Sequence, residues 1–127
     1  MTEISENSIK VHEASRLSEV QSAFNELFPF LRIGFYTKAS DIKNGFKLKV
    51  VENLNNDFNR FTKKSNAPAE LIITPDLSVS DLDKMFFENF GLNIQIHRNS
   101  GRLWLQINAT DSWSLEEQNK QGRDLCA

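Results

Sequence analysis

The sequence predicts an α+β fold, and two observations predict it. The first is that one segment occurs twice. Residues Ile9 to Phe35 read as strand, helix, strand, and Leu71 to Ile96 read the same way. Leu17-Ser18-Glu19-Val20 matches Val79-Ser80-Asp81-Leu82, and Phe24, Glu26 and Phe28 match Phe86, Glu88 and Phe90 at the same offset. After the helix the offset drops by one, so Leu31, Ile33 and Phe35 fall on Leu92, Ile94 and Ile96. The second observation is that apolar residues recur every 3.6 positions in the middle of each copy and every second position at its end. Two βαβ units in tandem give βαββαβ, the ferredoxin-like order. The expected architecture is a ferredoxin-like sandwich with a helical insert, an added fifth strand and a C-terminal helix. Its expected strand order is 5-4-1-3-2; a ubiquitin-like or other mixed sheet is the alternative.

Residues 1–7 are polar and acidic, read as a tail, and have the wrong composition for a signal peptide. Ile9 and Val11 alternate with polar residues as a short strand. Ser15 is placed to cap the first helix, whose stripe is Leu17, Val20, Phe24, Leu27 and Phe28. Pro29 ends it. Leu31, Ile33 and Phe35 then alternate with Arg32, Gly34 and Tyr36, the pattern of a strand with one buried face.

Residues 37–69 break the repeat and read as a basic insert. Asn44-Gly45 predicts a turn. Val51, Leu54, Phe58 and Phe61 predict a helix from about Leu48 to Phe61. Thr62 to Pro68 reads as a loop. The second copy opens with Glu70-Leu71-Ile72-Ile73, apolar on both faces and expected in the middle of the sheet. Ser78 with Asp81 resembles a capping box. Val79, Leu82, Met85, Phe86 and Phe90 form the stripe, and Gly91 is the expected helix stop.

Leu92, Ile94 and Ile96 alternate with Asn93, Gln95 and His97. A two-residue turn at Ser100-Gly101 would set His97 opposite Trp104 and Ile96 opposite Leu105. Leu103 and Leu105 then face the helices, and Gln95, His97, Trp104 and Gln106 share the outer face. Residues 109–127 form the C-terminal extension. Ser114-Leu115-Glu116-Glu117 is a capping box for a helix to about Gly122, and Trp113 and Leu115 are expected to fold back over Trp104.

Trp104-Leu105, Thr110-Asp111, Trp113-Ser114-Leu115, Gln118-Asn119 and Gly122 together resemble the C-terminal signature of a family of small uncharacterised bacterial (Bacteroidetes) proteins, WLxTxxTDxWTLxxQNxxG. Ser114 stands where that family carries Thr, an exchange of one cap for another. The resemblance covers the last half of the chain and, more loosely, the first helix. It implies no activity, cofactor or site.

A chain of 127 residues is the size of one domain, 1–127. The net charge of −2 argues against a general polyanion binder. No apolar run is long enough for a membrane span. The single cysteine, Cys126, excludes an internal disulfide and fits a cytoplasmic protein. Neither His12 nor His97 has a second ligand at metal spacing, and no glycine-rich phosphate loop exists, so no metal or cofactor is expected. Catalysis by Cys126 would set a nucleophile on a chain terminus, a poor scaffold. The acidic pair Glu116-Glu117 suits a helix start.

Two features remain. The insert carries Lys38, Lys43, Lys47, Lys49, Arg60, Lys63 and Lys64 against three acids; its plainer reading is a solvated face. Trp104 lies on the outer face with Gln95, His97 and Gln106, the candidate binding face. The leading expectation is a non-enzymatic protein-interaction or assembly module with a protein partner. A nucleic-acid module using the insert and this face is second. A small enzyme centred on His97 is third, and it requires a carboxylate beside that imidazole.

Overall fold

The computed structural model describes residues 3–5, 7–41, 45–61 and 70–126, with side chains at 7–37, 48–61 and 70–125. The order is β1 (Glu3–Ser5), β2 (Ser8–His12), α1 (Leu17–Leu27), β3 (Leu31–Asp41), β4 (Gly45–Val50), a short 3-10 helix (Phe58–Arg60), β5 (Glu70–Ile73), α2 (Val79–Phe90), β6 (Asn93–Asn99), β7 (Trp104–Gln106) and α3 (Leu115–Cys126). The class is α+β, as expected. The strands do not form the single sheet of order 5-4-1-3-2. They form two antiparallel sheets, β1-β2-β5 and β4-β3-β6-β7. The neighbours β2–β5 and β6–β7 were expected; the pairing of β3 with β6 was not.

Both helices of the repeat form where their stripes place them. Leu17, Val20, Ala23 and Phe24 are buried in α1, and Val79, Leu82, Phe86 and Phe90 in α2. The Ser78 hydroxyl accepts the Asp81 N–H at 3.1 Å, and Gly91 closes α2 with φ 71°, a conformation that favours glycine. The α1 cap differs from expectation. Arg16 is the N-cap, and its N–H donates to the Glu19 carboxylate at 3.0 Å. Ser15 is instead buried, with its hydroxyl accepting the His12 N–H.

Each repeat helix also reaches its following strand. Gln21 donates to the Ile33 carbonyl at 2.9 Å, while Asp83 accepts the Ile94 N–H at 2.7 Å. Gln21 and Asp83 hold equivalent places, as do Ile33 and Ile94. One supplies a donor and the other an acceptor for the same strand position.

The segment read as an insert is the second half of the first repeat. The expected helix over Leu48 to Phe61 is absent; β4 pairs with β3 from Tyr36↔Val50 to Asp41↔Gly45. The strict alternation Phe46-Lys47-Leu48-Lys49-Val50 outweighs the helical spacing. That spacing still marked buried residues, because Phe58 is fully buried while Val51, Leu54 and Phe61 pack against the core.

After each hairpin the chain returns to the start of its own helix. The Phe58 N–H donates to the Ser15 carbonyl (3.2 Å), and the Leu115 N–H to the Leu77 carbonyl (2.8 Å). Asn59 donates to Glu13 as Glu116 does to Pro75. Ser18 donates to Leu54 as Ser80 does to Asp111. Isolated bridges join Arg16 to Asp57 and Ser78 to Ser114. So β2-α1-β3-β4-3-10 helix and β5-α2-β6-β7-α3 are two copies of one unit. Phe58 and Leu115 are equivalent, and both are fully buried.

The core joins the two copies. Phe58 sits against Phe90, ring centroids 4.6 Å apart, and against Phe35 and Phe86 at 5.6 and 5.9 Å. Ile9, Val11, Leu71 and Ile73 contribute the inner side of the first sheet, and Leu31, Ile33, Ile94 and Ile96 that of the second.

Further expectations change. Within residues 1–7, Glu3–Ser5 pair with β2 as a strand, Ile4 opposite Ile9. β5 lies at a sheet edge and β2 in the middle, which leaves Ile72 exposed. The β6–β7 hairpin is shifted by two residues from the expected register: His97 faces Gln106 and Asn99 faces Trp104. A four-residue connection replaces the two-residue turn, because the Asn99 side chain accepts the Gly101 N–H and the Leu103 carbonyl accepts the Ser100 N–H. Finally, α3 runs through Gly122 to Cys126, and Leu103 and Leu105 are 65% and 52% exposed, although Leu105, opposite Arg98, is on the helix side of the sheet. Asn44 of the expected turn, and Thr62 to Pro68, lie outside the described residues.

Candidate interaction face

A shift of two residues preserves side-chain alternation, so the outer-face assignment survives the changed register. Gln95 pairs with Gly34, His97 with both Arg32 and Gln106, and Asn99 with Trp104. Gln95, His97, Trp104 and Gln106 therefore share one face of the four-stranded sheet. The structure adds Arg32 and Tyr36 from β3, and Leu48 and Val50 from β4, through the pairings Lys38↔Leu48 and Tyr36↔Val50. The sequence held the signal for Arg32 and Tyr36 in their alternation with Leu31, Ile33 and Phe35. It hid Leu48 and Val50 because β4 was read as helix.

The expected cover over Trp104 is not there. α3 meets the sheet through the opposite face, where the Arg98 guanidinium donates to Gln118 at 2.8 Å. Trp113 is 40% exposed. Arg32 covers Trp104 instead, its guanidinium carbon 3.8 Å from the ring centroid. Among the described residues no carboxylate lies within ion-pair distance of Arg32. A Cβ at Gly34 would stand 3.2 Å from the Tyr36 ring, so glycine lets that ring lie down on the strand.

Burial, and then the neighbouring Arg32 guanidinium, hold the His97 imidazole below its ordinary pKa of 6.5. It is therefore neutral at pH 7. Beside it stands a guanidinium and not the carboxylate that the His97-centred enzyme reading required. The described residues of this face include no Asp or Glu. What the face offers is a stacked guanidinium, a neutral imidazole, amide groups and the apolar tips of Leu48 and Val50. A cleft of about 250 Å³ adjoins it, with Leu48, Gln95 and Gln106 on the sheet side and Ser80, Asp83 and Asp111 toward α2.

The other sequence candidates are structural. His12 pairs with Glu70 at 3.2 Å, and Lys10 reaches the same carboxylate at 3.7 Å. Among the described residues no group of three His, Cys, Asp or Glu is arranged to hold a metal. Among the described residues no helix is long and apolar enough to cross a membrane. Of the basic residues in 37–69, Lys49 and Arg60 have described side chains, and both are exposed.

The C-terminal signature residues dock α3. Ser114 caps it by accepting the Glu117 N–H at 3.1 Å, and Leu115 is fully buried. Gln118, also fully buried, donates to the Thr110 carbonyl (2.6 Å) and hydroxyl (3.0 Å) while accepting from Arg98. Asn119 accepts the Phe30 N–H at 2.9 Å. Gly122 lies against Phe30, so closely that a Cβ there would come within 2.7 Å of the Phe30 Cβ. Comparison with family models, curated proteins and solved structures found no match for this chain, so its own geometry carries the functional argument.

Proposed function

We propose that this protein is a non-enzymatic interaction module that binds a partner through the outer face of the β4-β3-β6-β7 sheet. One observation carries the reading. Leu48, Val50, Tyr36, Arg32 and Trp104 converge on a face against which no described helix packs. Exposed apolar side chains grouped around polar ones are the composition of a recognition patch. The ferredoxin-like reading is kept as a proposal about connectivity alone, with one hairpin strand added after the βαβ of each copy. The cytoplasmic expectation belongs to the same reading.

Site-specific photo-crosslinking tests it. A photoreactive residue at Val50 should capture a discrete partner in the native cell. The same residue at Ile72, equally exposed on the other sheet, should not. Equal capture at both positions, or none at Val50, overturns the assignment of the face.

A further inference from the structure

We propose that the occupant of this face is an extended acidic and partly apolar peptide segment of a partner protein, with one of its carboxylates held by Arg32. This rests on the interaction-module reading and adds the chemistry of the partner. Arg32 is exposed, and no described carboxylate pairs with it. Its guanidinium carbon sits 3.8 Å from the Trp104 ring centroid, a contact that restrains the side chain while leaving N–H groups for a ligand. A restrained guanidinium is pre-organised for two parallel bonds to a carboxylate, and less side-chain entropy is lost on binding.

Charge points the same way. The chain has 17 acidic residues against 15 Lys and Arg, yet the described residues of this face include none of the acids. An incoming carboxylate meets the Arg32 guanidinium there, with Asp83 and Asp111 standing in the adjoining cleft rather than on the face itself. Beyond Arg32 the face turns apolar at Tyr36, Val50 and Leu48, so the segment that fits carries both acidic and apolar side chains on the one face it turns to the sheet. In an extended strand those are residues i, i+2 and i+4.

Nucleic acid is the other acidic occupant, and the observations favour it less. Polyanion binding draws its affinity from several phosphate-neutralising cations. The described part of this face has one guanidinium, and the whole chain is at −2 with pI ≈ 5.7.

The test is an NMR titration of the full chain with four probes: a ten-residue peptide in which Glu and Leu take turns at every second position with Ser between them (the Glu/Leu peptide), its Gln/Leu and Lys/Leu counterparts, and single-stranded oligouridine. The Glu/Leu peptide should move the Trp104 indole and Arg32 Nε signals at concentrations up to about 1 mM, the range of weak transient contacts. Arg32→Gln should weaken that binding about tenfold, and Arg32→Lys, which keeps charge but loses the flat fork, should weaken it less. Retained helix and sheet signals check that both variants are folded. If the Gln/Leu peptide binds this face as well as the Glu/Leu peptide, carboxylate capture is wrong while the face itself stands. Tighter binding of oligouridine or the Lys/Leu peptide overturns the partner class. Silence of the face toward every probe overturns the proposal, and the Val50 crosslink then decides the broader reading separately.

Discussion

Arg32 reaches across β6 to lay its guanidinium over the Trp104 indole, the two residues belonging to strands that do not touch each other. The contact exists because β6 lies between β3 and β7 with His97 opposite both Arg32 and Gln106. It shields an aromatic ring that would otherwise stand open on the sheet. In a Trp113→Phe background, where Trp104 is the sole tryptophan, Arg32→Ala should raise acrylamide quenching and shift emission to the red. The stability cost should be about 0.5–1 kcal/mol, that of an exposed cation–π pair. Unchanged quenching would show that the stack does not persist in solution.

Gly122→Ala should destabilise the protein even though alanine favours helices. The helix gains about 1 kcal/mol in propensity. The new methyl, however, would stand 2.7 Å from the Phe30 Cβ. Overpacking of that kind costs about 1–3 kcal/mol, and Asn119 would be pulled from the Phe30 N–H as α3 moved away. Urea unfolding of the variant should therefore give a lower midpoint; a higher one refutes the tight docking of α3.

The repeat makes a paired prediction. Phe58→Ala should cost about 3–5 kcal/mol and Leu115→Ala about 2–5 kcal/mol, because both close the core at equivalent positions. If residues 37–69 were a peripheral insert, Phe58→Ala would be nearly neutral. Equilibrium unfolding of the two variants separates these outcomes.

His97 sets a pH dependence whose sign is fixed by its lowered pKa. The unfolded chain takes up a proton near 6.5 and the folded chain only at lower pH. Below about pH 6.5 the unfolded state thus binds more protons, and stability falls as pH drops toward the folded value. Above that window the imidazole is neutral in both states and contributes no slope. The His97 imidazole should titrate below 6.5 by NMR, and His97→Gln should flatten this part of the profile. A midpoint above 6.5 would contradict the burial and the Arg32 proximity that the structure shows.

Local features decided which parts of this protein were legible. Both repeat helices could be read because each has a long apolar stripe; Ser78 and Gly91 mark the ends of α2, and Ser114 the start of α3, by local chemistry that acts within one turn. The candidate face could be read because alternation has a period of two, so Gln95, His97, Trp104 and Gln106 stay together even when the register shifts by two. β4 could not, because Val51, Leu54, Phe58 and Phe61 imitate a helical stripe whose expected helix overlaps it, while they lie in the connection after β4 and around a 3-10 turn. The α3 signature was visible as a string, but its purpose was not, since Gln118, Asn119 and Gly122 act on Arg98, Thr110 and Phe30.

By itself, then, the sequence determined the duplication, the helices α1, α2 and α3 and the two faces of β2, β3, β6 and β7, all set by neighbours within a few residues. Only the tertiary structure decided which strand edges meet. Backbone donors and acceptors are nearly alike along every edge, so alternation says which way a side chain points but not which strand lies beside it. The choice of β3 with β6, and of β2 with β5, falls to the shared core, where both inner faces and Phe58 must be buried together. That choice also brings Arg32 to Trp104, which is why the central contact of the candidate face has no trace in the linear sequence.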